Sequence, residues 1–314
     1  MKLLTIDFGG TFVKYAVMDE SLNFSDKGQI PAPLASREAF AEAAGTIYET
    51  VKGRVNGVAI SMPGIIDTDR GYAHTAGAYR HMVNTDIKAL LSDRIDVPIS
   101  VENDGKAAIL AEMWKGSLQG VQNASACIIG SGLGGAVVMD GKLRKGANFA
   151  SGEISGLLMD AGKMAMENFA ATRCGMSAFL MRVADAKGMS HADFEISSYY
   201  EEAAVAKKRI SGIEVFEWIE QGDEATCRVY QEWLLDLASV LYNLKMTLDP
   251  EKIIIGGGVS RSPRFIKDLK EAFQNMLAGT KAMGFPGCEL DVCTFTSEAN
   301  LVGAACSWLE KYKA

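Results

Sequence analysis

Histidine is nearly absent from this chain: among 314 residues only His74, His81 and His191 occur. So few imidazoles leave a histidine-based metal centre or a Ser/His/Asp triad without its usual parts, although His74 or His81 still suffices for a single contact. The six cysteines, Cys127, Cys174, Cys227, Cys288, Cys293 and Cys306, are scattered and form no C-x-x-C pair. Several lie in apolar segments as small core residues do, which fits free thiols in the cytoplasm better than disulfides. No apolar run approaches membrane-spanning length, and the stretch before Asp7 is too short for a signal peptide, so a cytoplasmic chain with no membrane partner is expected. Basic excess is lacking too. A net charge of −7 argues against a general binder of nucleic-acid phosphates, which normally presents a basic face. Finally, no G-x-x-x-x-G-K-[ST] stretch is present, which removes the P-loop.

What is there begins with an ordinary globular composition, 48% hydrophobic and 23% charged, over a length that suits one large or two medium domains. Two glycine turns carry the most information. Leu4-Thr5-Ile6-Asp7-Phe8 runs into Gly9-Gly10-Thr11, and Cys127-Ile128-Ile129 runs into Gly130-Ser131-Gly132-Leu133-Gly134-Gly135. Glycine admits positive φ and lets backbone N–H groups come close to a ligand, so a strand closing in glycines is a natural anion cradle. Gly130, Gly132 and Gly135 formally spell G-x-G-x-x-G, but a dinucleotide site needs a helix there, and Ala136-Val137-Val138-Met139 continues as strand. After Thr11, Val13 to Asp19 likewise reads as a strand turned back on the first. Either turn alone is explained as well by an ordinary hairpin; the pair is explained less well that way.

Further along, Arg37 to Lys52 reads as helix and Gly57 to Met62 as a buried strand ending at Pro63-Gly64. Gly71 to Met82 has little periodicity and reads as an irregular, substrate-facing loop. Val97 to Val101 runs into Glu102-Asn103-Asp104, and Lys106 to Trp114 reads as a helix. Two readings fit Asn103 and Asp104: helix capping, or a polar strand tip of the kind at which open α/β sheets bind ligands. Polar, glycine-containing Gln119 to Asn123 marks a boundary between a smaller α/β domain, 1–118, and a larger one, 119–297, and the recurring strand–turn–strand unit suggests duplication. Ala161 to Leu248 is mainly helical, with Trp218, Tyr230, Trp233 and Tyr242 at core spacings. Lys252 to Val259 is a strand closing in Gly256-Gly257-Gly258, and Glu298 to Tyr312 is a C-terminal helix.

Together these segments resemble the ROK family of sugar kinases and repressors, within the actin-like ATPase superfamily, along essentially the whole chain. The resemblance rests on Asp7-Phe8-Gly9-Gly10-Thr11-Phe12-Val13-Lys14, on Pro63-Gly64-Ile65-Ile66-Asp67, on Glu102-Asn103-Asp104 before an alanine-rich helix, on Gly130 to Gly135, and on Gly256-Gly257-Gly258. The wording around Gly77-Ala78-Tyr79-Arg80 and Ala111 to Gly116 is most like bacterial β-glucoside kinases. The fold this implies is α/β: a two-domain actin-like ATPase (ribonuclease H-like) fold with an interdomain cleft, its 298–314 helix packing back on the first domain. Many relatives hold zinc with an E-x-G-H histidine and a cysteine cluster; here Glu153-Ile154-Ser155-Gly156 and Cys174-Gly175 replace them, so no zinc site is expected. The missing histidine contacts sugar in such relatives, and Gly156 leaves that end of the pocket open.

The resemblance implies an ATP- and Mg²⁺-dependent kinase for the hydroxyl, the 6-OH as in relatives, of a hexose or β-glucoside. Asp104 is the implied general base, with Asn103 holding neighbouring hydroxyls, Glu153 another pair, and Gly64, Gly77 and Ala78 lining the sugar. Asp7 is the implied holder of Mg²⁺ through water. Gly9, Gly10, Thr11, Gly130, Ser131, Gly132 and Gly134 are expected to clamp ATP phosphates from opposite domains, and Gly257 and Gly258 to lie near adenosine. Lys14 reads either as a phosphate contact or as a solvated strand residue; Glu153, on the residues alone, is equally an ordinary surface glutamate. The alternative class is a non-catalytic sugar sensor or regulator. Regulators of the family carry an N-terminal helix-turn-helix, and the expectation from Asp7 at the start of this chain is against one. A homodimer is compatible with the resemblance; the sequence itself is silent on oligomeric state, and no nucleic-acid partner is expected.

Overall fold

The computed structural model describes residues 1–162, 166–189 and 210–313. His191, and the parts of the helical reading over 161–248 that fall on 163–165 and 190–209, lie outside the described residues. The chain divides into two compact units: Met1–Gly120, Leu143–Ser151 and Ser297–Ala314 in the first, and Val121–Lys142 and Gly152–Thr296 in the second.

In the first unit β1 (Lys2–Phe8), β2 (Phe12–Asp19) and β3 (Phe24–Pro31) form an antiparallel meander. Helix α1 (Arg37–Glu49) follows, and β4 (Gly57–Met62) then lies parallel to β1. A small sheet of β5 (Ile66–Asp67), β6 (Tyr72–Ala73) and β7 (Thr85–Asp86), with the short helix α2 (Ile87–Leu91), precedes β8 (Ile99–Asn103), parallel to β4, and α3 (Asp104–Lys115). The main sheet order is β3-β2-β1-β4-β8. Its central strands are buried almost throughout and mostly apolar because they are covered on both faces, with polar side chains such as Asp7, Glu102 and Asn103 gathered toward their C-terminal ends; β3 is polar and exposed, as an edge strand that must resist further pairing should be. Ser36 starts α1 by accepting from the Ala39 N–H at 3.1 Å, and Phe40, Ala41, Ala44, Ile47 and Tyr48 give it a buried stripe. The C-terminal helix Ala299–Tyr312 packs on α3, β1, β4 and β8. A β-carbon at Gly303 would collide with the Ala107 carbonyl, so glycine sets how close those two helices come.

The second unit repeats the plan. Strands β9 (Ala124–Ile129) and β10 (Leu133–Met139) form a hairpin, β11 (Lys142–Leu143) lies at the edge, and helices α4 (Ala170–Cys174), α5 (Met176–Ala186), α6 (Gly212–Glu220) and α7 (Glu224–Leu248) follow. Then come β12 (Lys252–Gly256), parallel to β9, helix α8 (Pro263–Ala282), and β13 (Glu289–Val292), parallel to β12. The order β11-β10-β9-β12-β13 matches that of the first sheet element for element. Asp223 caps α7 by accepting from the Thr226 N–H at 2.9 Å, and Asp249 at φ +44° with Pro250 behind it ends the helix. Trp233 is fully buried between Phe179 (ring centroids 4.2 Å apart) and Phe265 (5.2 Å), while its Nε1 donates to the Cys174 carbonyl at 2.9 Å. Tyr230 is buried beside it, and Trp218 and Tyr242 pack on the same core.

One turn further along α7, buried Asp236 accepts from Arg173 Nη2 (2.6 Å) and Arg182 Nη1 (2.8 Å), tying α4 and α5 to the long helix. Removing that carboxylate strands Arg173 and leaves Arg182 with Glu232 (3.0 Å) alone; the two guanidinium groups are already 34% and 27% exposed, so solvent offsets part of the loss. Asp236→Ala is expected to lower unfolding free energy by about 2 kcal/mol in a urea titration; a change under about 0.5 kcal/mol would show that water and Glu232 satisfy both arginines.

Candidate active site

The polar tip of β8 is built around one side-chain amide. Asn103 Oδ1 accepts from the Lys106 N–H at 3.0 Å, capping α3, while Nδ2 donates to the Gly64 carbonyl (2.9 Å) and to Asp104 Oδ1 (3.0 Å). The capping reading of Asn103 is thus met, and the same amide holds the Asp104 carboxylate in place. Asp104 Oδ1 also accepts from the Gly105 N–H at 2.8 Å, which commits one carboxylate oxygen to the protein. Burial pushes the Asp104 carboxyl above the usual carboxylate range, against the opposing pull of the Gly105 N–H, Lys106 and Asn103. Asn103 has both amide hydrogens and one acceptor position engaged, leaving Oδ1 a single further lone pair for any hydroxyl.

Gly64 completes this corner. It sits at φ +112°, and a β-carbon there would strike the Thr75 carbonyl, so only glycine makes the turn. Ile65 N–H donates to Thr75 Oγ1 (2.9 Å), and His74 N–H to the Ile65 carbonyl (2.9 Å), which fastens the Gly71–Met82 segment to the Pro63–Gly64 turn. In that segment Gly77 takes φ +54°, Ala78 is half-buried, and the Tyr79 ring packs edge-on against Phe8 and Phe40. The Tyr79 hydroxyl donates to the Gly9 carbonyl at 2.7 Å, so the loop and the first glycine turn are joined directly.

Two turns, one in each unit, share a hydrogen-bond pattern. Gly9 N–H is used inside its own hairpin, toward the carbonyls of Asp7 and Phe12 (3.1 Å each); Gly130 N–H is used the same way, toward Gly132 at 3.0 Å. Among the described residues, none accepts from the N–H groups of Gly10 and Thr11, or of Ser131 and Gly132. The turns therefore present open donors, as an anion cradle requires. The reason for glycine differs from the expected one. Gly9, Gly130, Gly132 and Gly134 do not take positive φ; at Gly9 the constraint is space, since a β-carbon would come within 2.9 Å of the Phe12 carbonyl. The second turn is held from behind by α5, whose Met176 and Ser177 N–H groups donate to the carbonyls of Gly130 (2.9 Å) and Ser131 (3.0 Å). Positive φ is needed instead at Gly257 (+92°), where a β-carbon would run into the Ile129 carbonyl beside that turn; Gly258 next to it is open.

Asp7 is the last residue but one of β1, buried, directly opposite Lys14 on β2 and Ser61 on β4, and its Oδ1 accepts from Asn300 Nδ2 at 3.1 Å. Burial first, then repulsion from Asp104, raises its pKa to about 6, with Asn300 and Lys14 acting the other way. The Asp7 carboxylate is a hard oxygen donor of the kind Mg²⁺ takes, but among the described residues no group of three or more His, Cys, Asp or Glu side chains is gathered around a single point. In the second unit Glu153 is half-buried ahead of the short 3-10 turn Ile154–Gly156, and a β-carbon on Gly156 would meet nothing within 4 Å.

Two residues carry more than their sequence signals suggested. Glu102, 1% exposed, accepts from Thr68 Oγ1 (3.1 Å), Asn103 N–H (2.9 Å) and Ser307 Oγ (3.3 Å), and Lys145 Nζ lies 3.9 Å away. Burial raises its pKa. Asn300, from the C-terminal helix, is the other; only the fold brings either set of partners together.

Because the folded state binds the Asp7 proton more tightly than the unfolded chain, stability falls as pH rises from about 4 through about 6, and the cost persists above that range. Asp7→Asn is accordingly expected to raise the unfolding free energy of the ligand-free protein at pH 7.5 by about 2 kcal/mol, a gain that disappears near pH 4. Denaturant melts at the two pH values check it, and destabilisation at pH 7.5 would show that Lys14 and Asn300 outweigh burial.

Comparison with known proteins agrees with this architecture. The chain is 29% identical to the β-glucoside kinase of Klebsiella pneumoniae, covering 100% of this chain and 98% of that protein. It is 28% identical to a glucokinase of Halalkalibacterium halodurans over 98% of this chain and 94% of the other. A ROK family protein from Streptococcus pneumoniae, solved in complex with sucrose, superposes with a TM-score of 0.83 at 23% identity, over 100% of this chain and 99% of that one, so the two share a fold. The ROK family pattern matches residues 3–311, so the chain belongs to the ROK family.

Proposed function

We propose that this chain is an ATP-dependent sugar kinase that phosphorylates the 6-hydroxyl of a hexose or β-glucoside, with Asp104 as general base. The observation that carries the reading is the Asp104 carboxylate. One oxygen is fixed by Gly105 and Asn103, the other is left for a substrate hydroxyl, and burial raises its basicity. Relatives named as kinases along the whole chain support the same reaction class.

In this mechanism Asp104 takes the proton of the sugar hydroxyl as its oxygen attacks the γ-phosphorus of ATP, and the bond to the β-γ bridging oxygen breaks to release ADP. The open N–H groups of Gly10, Thr11, Ser131 and Gly132 donate to phosphate oxygens, with the Thr11 and Ser131 hydroxyls and Lys14 as further donors. Gly9, Gly130 and Gly134 keep side chains out of those turns, and Gly257 and Gly258 leave room for the nucleoside. Gly64, Gly77 and Ala78 shape the sugar side, Asn103 offers its remaining lone pair to a hydroxyl, and Glu153 accepts from another hydroxyl pair. Mg²⁺, held by Asp7 through water, would neutralise charge on the phosphates.

Release of ADP, followed in a coupled assay with glucose, mannose, N-acetylmannosamine and cellobiose-type glucosides, tests the reading. Sugar-dependent release is expected, and Asp104→Asn should reduce kcat about 10³-fold with sugar binding largely kept. Near-normal turnover by that variant would remove Asp104 as the base; release unaffected by every sugar would favour a non-catalytic sensor. Gly156→His asks about specificity. The open space at Gly156 predicts a stability change within about 0.5 kcal/mol, and the added imidazole should shift preference toward free glucose. An unchanged ratio of glucose to glucoside turnover would show that position 156 does not face the sugar.

A further inference from the structure

The segment fastened to the Gly64 turn ends in a row of planar side chains. Arg70 lies over the Tyr72 ring at 5.0 Å, Tyr72 meets His74 edge-on at 5.1 Å, and His74 lies nearly parallel to Phe149, with ring centroids 6.2 Å apart and planes 21° off. Tyr72, His74 and Phe149 stand outside the apolar core of the first unit; His74 is exposed and the other two are half-buried. Core packing therefore does not explain the row.

Its position and construction point toward a ligand. His74 donates its N–H to Ile65 and precedes Thr75, whose carbonyl backs Gly64; Gly64 is held by Asn103, which holds Asp104. The row begins one residue beyond the corner that aims the catalytic carboxylate. Phe149 is held at φ +58°, a conformation that a bulky side chain adopts only at a cost of about 1 kcal/mol or more, and such strain persists where the surroundings fix it. Here Ser151 N–H donates to the Lys145 carbonyl (3.1 Å), and the Lys145 ammonium reaches buried Glu102, the same carboxylate that accepts from Thr68 on the other arm. One buried group thus braces both the strand that carries Tyr72 and His74 and the loop that carries Phe149.

We propose that His74 and Phe149 form a stacking platform for the ring attached to the anomeric carbon of a β-glucoside, next to the site that receives the glucose unit. The proposal rests on the kinase reading above. A β-linked substituent leaves the pyranose equatorially, so the two rings make one extended, flat body whose C–H or aromatic faces suit planar side chains. A free hexose has no second ring to place there. His74 and Phe149 are then specificity residues, felt through KM for glucosides.

The test compares kcat/KM for glucose, cellobiose and phenyl β-glucoside in the full-length protein and in H74A and F149L. The expected result is a wild-type preference for the glucosides and a fall of about tenfold in the glucoside-to-glucose ratio in each variant, carried by KM. His74 is exposed, so H74A keeps the test decisive whatever F149L does to its loop. An unchanged ratio overturns the platform, and so does a wild-type preference for glucose; in both cases sugar-dependent turnover leaves the kinase reading standing. Turnover on no sugar overturns that reading, and the platform with it.

Discussion

The amide of Asn103 is the constraint on which the rest of the site depends. A carboxylate in its place would keep the cap on α3 but lose both donors, freeing the Gly64 carbonyl and setting a second negative charge against Asp104. An alanine would lose the cap as well. Asparagine is the side chain that can accept from a helix N-terminus and donate to a turn and a carboxylate together. The first turn of α3, the Pro63–Gly64 turn and the Asp104 carboxylate are thereby set by one rigid group, as a site that relies on orientation requires. Tyr79 extends the connection to the glycine turn at Gly9 through a hydroxyl anchored in an aromatic cluster, so the Gly71–Met82 loop and the first glycine turn are tied together.

The two glycine turns show how a sequence pattern can be right about the place and wrong about the cause. Strand, turn and returning strand are legible because β1 and β9 are apolar runs and the residues after each turn have no helical period. Left-handed backbone is the reason for glycine that the pattern invites, yet Gly9 and Gly130 serve hairpins whose first N–H turns inward and whose next two stay open. The left-handed positions lie at Gly64, Gly77 and Gly257, one step away in the chain or across a sheet. The repeated unit is legible for the same reason, and the matching order of the two sheets carries the suggestion of duplication from a motif to a whole plan.

What local pattern could not supply is partnership at long range. Glu102 reads as one letter of a motif, but its partners are 34 and 205 residues distant, and Asn300 reaches Asp7 across 293. Lys106 comes just after a capped helix start and would be placed on a solvated face by charge alone; it is 1% exposed, and it stabilises the charged forms of Glu102 and Asp104. Leu143 to Ser151 sits within a stretch read as second-domain sequence but packs with the first unit, because Lys145 faces Glu102 and Phe149 faces His74. In each case the deciding interaction is electrostatic or aromatic and joins segments with no shared periodicity.

Asp7 shows why such a site is costly to keep. A carboxylate at a buried strand end, repelled by Asp104, works against folding at neutral pH, and a hydrophobic or amide side chain would pack there with less penalty. A position that burdens the fold is retained when the burden is relieved by what binds. In the proposed reading a divalent cation would stabilise the charged form that burial disfavours, so affinity for the cation and relief of the fold would be one free energy counted from two sides. Asp104 repels Asp7, and the repulsion is mutual, so in the proposed reading a cation beside Asp7 would also ease the ionisation of Asp104. On that reading, charge compensation at Asp7 would ready the proposed base at the tip of β8, two strands across the same sheet.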